Sequence, residues 1–246
     1  MILTNKEMAR HEAYMHRLLS EVLDNKYLSS FIFFKGGTCA RMLGFLDRFS
    51  VDLDFDLGKE ADKKNCRKLL HNIFDKLGFE IKDESSKALQ FFLKYEAPKS
   101  ERNTIKLEVL DKMFVANKYQ SQYLAPIGRT AICQTIETMF ANKLVAPIDR
   151  FEKEKSIAGR DIYDIHYFFL QGYDYREEVI KERRSKSTFE YFSELREFID
   201  QKVTRQVLEE DLNVLLDYDK FKKIRKYLKQ EVLNFLTNEI KRKKQK

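Results

Sequence analysis

From Ser50 to Leu57 the chain reads SVDLDFDL, polar and apolar side chains in turn. A period of two marks a half-buried strand. Val51, Leu53, Phe55 and Leu57 are expected to face a core, with Asp52, Asp54 and Asp56 on the other face. An apolar run, Phe31-Ile32-Phe33-Phe34, precedes this stretch and leads through Lys35-Gly36-Gly37-Thr38 into a short predicted helix, Cys39 to Leu46. Upstream, Met8, Met15, Leu18, Leu19, Val22 and Leu23 share one side of a predicted helix over Thr4 to Asn25, which would cover the sheet. Thr4 and Glu7 have capping-box spacing. His11 and His16 on that helix read as surface or half-packed side chains.

Helical spacing of Leu69, Leu70, Ile73, Phe74 and Leu77 predicts a second helix, Lys59 to Leu77, ending before Gly78. Three strands follow by pattern: Phe79 to Lys82, Leu89 to Tyr95 and Asn103 to Leu110, with Pro98 and Ser100 marking the last connection. Pro126 and Gly128 mark a shift to helical patterning, which places a boundary near residue 125. Thr130 to Val145 reads as a helix ended by Pro147, and Arg160-Asp161-Ile162-Tyr163-Asp164 heads another through Phe169. Further helices are expected over Glu177 to Arg184, Thr188 to Asp200, Thr204 to Asp217 and Asp219 to Lys243. His166 reads as packing, and so does the aromatic stripe Phe189, Tyr191, Phe192 and Phe198. The pattern is α+β: a mixed sheet flanked by helices over 1–125, then a helical C-terminal lobe over 126–246 that would complete an active-site cleft.

Composition narrows the class. Of 246 residues, 43% are hydrophobic and 35% charged, which suits a globular chain with a sizeable core. No apolar stretch approaches the roughly 20 residues of a membrane span, and the first residues are too charged for a secretory signal. Cys39, Cys66 and Cys133 lie far apart without zinc or disulfide spacing, so a reducing cytoplasm is the expected compartment. The net charge of +7 is concentrated towards the C-terminus, ending in KRKKQK at Lys241 to Lys246. An excess of that kind suits an anionic partner such as RNA, held by its phosphates.

The chemistry lies in the first stretch. Side chains two apart on a strand share a face, so Asp52 and Asp54 can hold a common pair of metal ions. Crowded carboxylates repel and raise each other's pKa unless a cation neutralises them. Mg²⁺, which takes oxygen ligands, answers that need, and two-metal sites serve phosphoryl and nucleotidyl transfer. Gly36 and Gly37 between strand and helix allow close backbone approach to a phosphate, with Thr38 adding a hydroxyl. Taken singly, a glycine pair or an Asp-x-Asp is ordinary turn or surface chemistry; it is their order and short spacing that point to a site.

Gly36-Gly37-Thr38 followed by Arg48-Phe49-Ser50-Val51-Asp52-Leu53-Asp54-Phe55 resembles the polymerase-β-like nucleotidyltransferases, and more closely their AbiEii/MenT branch, the toxins of bacterial type IV toxin–antitoxin and abortive-infection systems. The resemblance implies a polymerase-β-like core that moves a nucleoside monophosphate from an NTP to an acceptor and releases pyrophosphate. It assigns Gly36, Gly37, Thr38, Arg48 and Ser50 to the nucleotide, and Asp52, Asp54 and Glu108 to two Mg²⁺ ions. Glu108, in the wording Lys106-Leu107-Glu108, would serve the acceptor side. Ala141-Asn142-Lys143-Leu144-Val145-Ala146, then Arg150, resembles the branch's third motif, so Lys143 would meet the triphosphate. Arg160-Asp161 resembles the fourth, which makes Asp161 a site residue that would orient Lys143 or a metal-bound water; Asp164 would brace its helix. The branch further implies an RNA acceptor, the 3′ end of tRNA, growth inhibition, and an antitoxin encoded nearby. Two alternatives stay open: a transferase acting on a small molecule such as an antibiotic or on a protein side chain, and a non-catalytic RNA- or nucleotide-binding protein.

Overall fold

The structure is a computed structural model describing residues 5–213 and 215–245. The Thr4 half of the expected capping box therefore lies outside the described residues. Helix α1 (Asn5–Asp24) buries Met15, Leu18, Leu19 and Val22, the side its periodicity chose. A short helix absent from the sequence pattern, α2 (Lys26–Phe31), follows at once. The side-chain oxygen of Asn25 starts it by accepting from the amides of Tyr27 and Leu28. Then come β1 (Ile32–Lys35), α3 (Gly36–Met42) and β2 (Asp52–Leu57). Asp62 caps α4 (Lys63–Lys76), and β3 (Glu80–Glu84), β4 (Leu89–Lys94) and β5 (Thr104–Leu110) complete the part anticipated from pattern.

The next segment corrects the sequence reading. Instead of a helix from Thr130, residues 119–134 form a hairpin of β6 (Tyr119–Leu124) and β7 (Arg129–Gln134). Pro126 and Gly128 belong to its turn, which Gly128 closes at a φ of +62°. Ala131 and Cys133 are buried and alternate with more exposed neighbours, a period of two that the helical reading overlooked. Helix α5 (Ile136–Glu154) starts later and continues through Pro147. A proline in a helix lacks the N–H that would bond the carbonyl four residues back, here that of Lys143. Pro147 is buried, as are Leu144, Val145 and Ile148 beside it, and helices in proteins are held mainly by such burial.

The seven strands make one mixed sheet in the order β3-β4-β5-β2-β1-β7-β6. β2 runs antiparallel to β1 and parallel to β5, and β1 is parallel to β7. Phe34, Phe55, Phe74 and Phe91 are fully buried against it, each contributing about 1.5–3 kcal/mol from burial. The outermost strands differ: β3 reads EIKDE and carries a register shift between Ile81 and Asp83, while β6 reads YQSQYL without a charge. The sheet with α1–α4 forms one compact unit, residues 5–113 with 118–135.

The second unit, residues 114–117 with 136–245, is helical. After α5 come α6 (Gly159–Leu170), α7 (Glu177–Arg184) and α8 (Thr188–Lys202). They are followed by α9 (Arg205–Leu212), α10 (Tyr218–Ile224) and α11 (Leu228–Lys244). The single helix expected over Asp219 to Lys243 is thus two. Phe140 lies edge-on to Phe168 and Phe169, at 5.2 and 4.8 Å between centroids. Tyr191 is fully buried and donates to the Leu144 carbonyl at 2.9 Å. The α8 stripe is mainly core, since Tyr191, Phe192, Leu195 and Ile199 are buried.

Candidate active site

The sheet register brings the acids together. Asp54 stands opposite Glu108 in the parallel β2–β5 pair, and Asp52 opposite Lys106. Lys35 faces Asp54 from β1, and Gln90 faces Glu108 from β4. Directly opposed residues point to the same side of a sheet. Lys35, Asp54, Glu108 and Gln90 therefore form one row across four strands, all half-buried. On the other side Leu53, Leu107 and Phe91 are fully buried.

Charge within the row is unevenly balanced. Burial pushes the Asp54 carboxyl above its usual range, the Asp52 and Glu108 charges add to this, and Lys35 and Lys106 oppose it. Lys35 is committed elsewhere: its Nζ lies 2.5 Å from Oδ1 of Asp56. Asp56 is 2% exposed and also accepts from Tyr119 and Gln134, each at 2.8 Å, so it is a satisfied anchor rather than a partner of the pair before it. Glu108 accepts from Gln90 at 2.7 Å on one oxygen and from Lys106 at 2.9 Å on the other.

Gly36 sits hard against Asp54, and Gly37 against Ser50 and Arg48. Gly36 has a φ of +81°, and a Cβ there would stand 2.4 Å from Asp54 Oδ2. A Cβ on Gly37 would meet Ser50 Oγ at 2.9 Å and Arg48 Nη2 at 3.1 Å. The Thr38 hydroxyl donates to the Asp52 backbone carbonyl and lies 3.0 Å from the Ser50 hydroxyl. Arg48, Ser50 and Thr38 are all buried. The stretch from Gly36 to Asp54 thus closes on itself, with the start of α3 fixed against β2.

His11 reaches the same strand from α1. It is fully buried rather than superficial, and its Nε2 donates to the Val51 carbonyl at 2.9 Å while the Tyr95 hydroxyl lies 2.8 Å from Nδ1. Burial lowers its pKa to about 4.

Among the described residues no group of three or more His, Cys, Asp or Glu side chains is gathered to hold a metal as it stands. Glu108 is turned to Gln90 and Lys106 instead. The donor set still fits a hard divalent cation. Asp52 and Asp54 offer only oxygen, and the burial and neighbouring carboxylates that raise Asp54 are what such a cation would offset.

In the helical unit Lys143 Nζ lies 2.7 Å from Asp164 Oδ2, and Asp164 is fully buried. Asp161 is not on Lys143: it accepts from Arg150 Nε at 2.9 Å. The two acids are three apart on α6 and meet different cations of α5, which corrects the expectation that Asp161 orients Lys143. Burial disfavours the Arg150 charge, but Asp161 outweighs it and the pKa rises. His166 is buried, with Nε2 2.5 Å from Glu231.

Residues 17–230 match the family model of the nucleotidyl transferase AbiEii toxin of type IV toxin–antitoxin systems. The chain belongs to the AbiEii family. As an AbiEii-family protein it is a nucleotidyltransferase, and its α+β fold is that of its structural neighbours. JHP933 from Helicobacter pylori is similar at 22% identity and a TM-score of 0.59, over 99% of this chain and 96% of that one. A putative nucleotidyltransferase from H. pylori gives 21% and 0.61, over 98% and 97%. The nucleotidyltransferase toxin MenT4 from Mycobacterium tuberculosis gives 18% and 0.52, over 94% and 84%. At these identities the likeness is one of fold. No curated protein matches the chain, and no helix among the described residues is long and apolar enough to cross a membrane.

Within this AbiEii-family sheet, Gln90 was not foreseen. Alternation along Leu89 to Lys94 does put it on the polar face, but only the β4–β5 register sets it beside Glu108. Arg150 and Asp164 were visible as residues of the third and fourth motifs, yet their partners depend on how α5 and α6 pack.

Proposed function

We propose that this AbiEii-family enzyme transfers a nucleoside monophosphate from an NTP to the 3′ end of an RNA, tRNA in the first instance, with Mg²⁺, and so inhibits translation and growth until a cognate antitoxin intervenes. A cytoplasmic location goes with that role. The register that sets Glu108 beside Asp54, with Gly36 closed on the same carboxylate, carries the reading. Asp52 and Asp54 would hold two Mg²⁺ ions, with Glu108 joining them on the acceptor side. Bound there, the metal supplies charge neutralisation of the phosphates and a lowered pKa for the attacking hydroxyl. Backbone N–H groups at Gly36 and Gly37 would face the triphosphate, while Thr38, Ser50 and Arg48 hold that turn in shape. Lys143 is assigned to the leaving pyrophosphate through its motif, with Asp164 keeping the ammonium in place. Positioning and electrostatics supply most of the rate in such a reaction.

The test is incubation of the protein with each labelled NTP, MgCl₂ and total tRNA. Label on tRNA, abolished by EDTA, is the expected result. Label on protein or on a small molecule would move the assignment to a different acceptor, and binding without label would make the chain a non-catalytic member of its family.

A further inference from the structure

Lys106 lies on the same face of β5 as Glu108, two residues away, and its ammonium rests on one oxygen of that carboxylate while Gln90 occupies the other. An ammonium on Oε2 opposes, by its charge, a metal ion on the same oxygen. Of the two lysines that temper the charge at Asp54, Lys35 is anchored on buried Asp56, and Lys106 is the one paired within the acidic row. Asp52 stands directly opposite Lys106 across β2 and β5. The ammonium thus rests on Glu108 of β5 and acts electrostatically on Asp54 of β2, in the environment a divalent cation would seek.

Resting on the metal reading above, we propose that Lys106 is the exchangeable counter-ion of Glu108. It neutralises the row while no metal is bound and must leave Oε2 for Glu108 to ligate one. Gln90 stays on Oε1, so Oε2 is the oxygen that departure of Lys106 would free for a cation. The Lys106–Glu108 ion pair and metal binding are then mutually exclusive, and Lys106 sets the metal concentration at which the site assembles. The carboxylates would otherwise repel one another throughout folding and in metal-poor conditions.

The experiment is a titration of the nucleotide-free full chain with MnCl₂, read by the electron paramagnetic resonance signal of free Mn²⁺. Lys106→Met, which keeps most of the aliphatic stem, should tighten Mn²⁺ binding roughly threefold to tenfold, the size of a half-buried ion pair. Lys106→Arg should restore affinity close to the parent's. In a Glu108→Gln background the Lys106→Met effect should shrink to a small remainder, because the pair it breaks no longer exists and only the through-space action of Lys106 on Asp54 is left. Unchanged or weaker binding by Lys106→Met would overturn the proposal, as would equal tightening with and without Glu108, which is the signature of a mere through-space charge. A parent protein that takes up no Mn²⁺ would remove the metal reading itself. Melting curves in EDTA check that each variant is folded, and the Lys106→Met curve should shift up on adding MnCl₂ by more than the parent's.

Discussion

At the scale of single residues the site turns on Asp54 and the glycine pressed against it. Asp54→Asn keeps the shape of the side chain and removes its charge, so the fold should persist while pyrophosphate release falls by roughly a thousandfold or more. A variant turning over near the parent rate would move the metal away from β2. Gly36→Ala meets two obstacles, a left-handed backbone and the carboxylate 2.4 Å from the new methyl. Gly44 separates them, because it has a φ of +76° with nothing within 4 Å of its added Cβ. Both substitutions should cost about 1 kcal/mol or more in denaturant unfolding from the backbone alone, but only Gly36→Ala should also abolish activity. Equal activity in the two would mean that the contact with Asp54 is dispensable. Asp52, Asp54 and the glycine pair were legible because a period of two and a doublet of glycines are local signals. That Glu108 belongs with the two aspartates was implied by family resemblance alone, and its place opposite Asp54 emerges only from the β2–β5 register, since pairing between distant strands leaves no mark in either strand's own sequence.

At the scale of elements, α1 is tied to the start of β2 by His11, whose ring holds the carbonyl just ahead of Asp52. The sign of its pH dependence follows from its lowered pKa. Folded, the ring is neutral down to about 4; unfolded, it takes a proton below the ordinary 6.5. The unfolded state therefore binds more protons between those values, and stability falls as the pH drops through that window. The loss should approach roughly 3 kcal/mol, at 1.36 kcal/mol per unit, and level off below pH 4. His11→Gln should flatten that part of the profile in melts recorded from pH 4 to 7; an unaltered profile would place the acid sensitivity elsewhere. The helical reading of α1 did not reveal this burial, because a histidine on an amphipathic face carries no sign of what it meets. Strands β2, β4 and β5 were legible from alternation with strong apolar members. The β6–β7 hairpin was not: Tyr119 to Leu124 is polar on both faces, and Thr130 to Gln134 is short enough for its apolar residues to join the helical period of α5. In the same way Pro147 marked an end by local rule, while the packing of α5 carried the helix past it.

At the scale of the whole molecule the charge excess of +7 is partly spoken for. Near the C-terminus Lys243 pairs with Glu177 and Arg242 with Glu239, so among the described tail residues Lys241 and Lys244 carry the unpaired charge. Deleting Lys241 to Lys246 should therefore weaken RNA binding only modestly and reduce its salt dependence by about two or three counter-ions at most. An unchanged slope of affinity against salt would make the tail an aid to solubility. The two flanks of the sheet carry a different consequence. An outermost strand offers a row of unused backbone donors and acceptors, and alternating charges with a kinked register, as in β3, discourage a second chain from adding to it. β6 has neither safeguard: it is uncharged, with Gln120, Ser121 and Tyr123 open to solvent. When this protein is concentrated or refolded, self-association will begin along Tyr119–Leu124, and the opposite flank will stay bare.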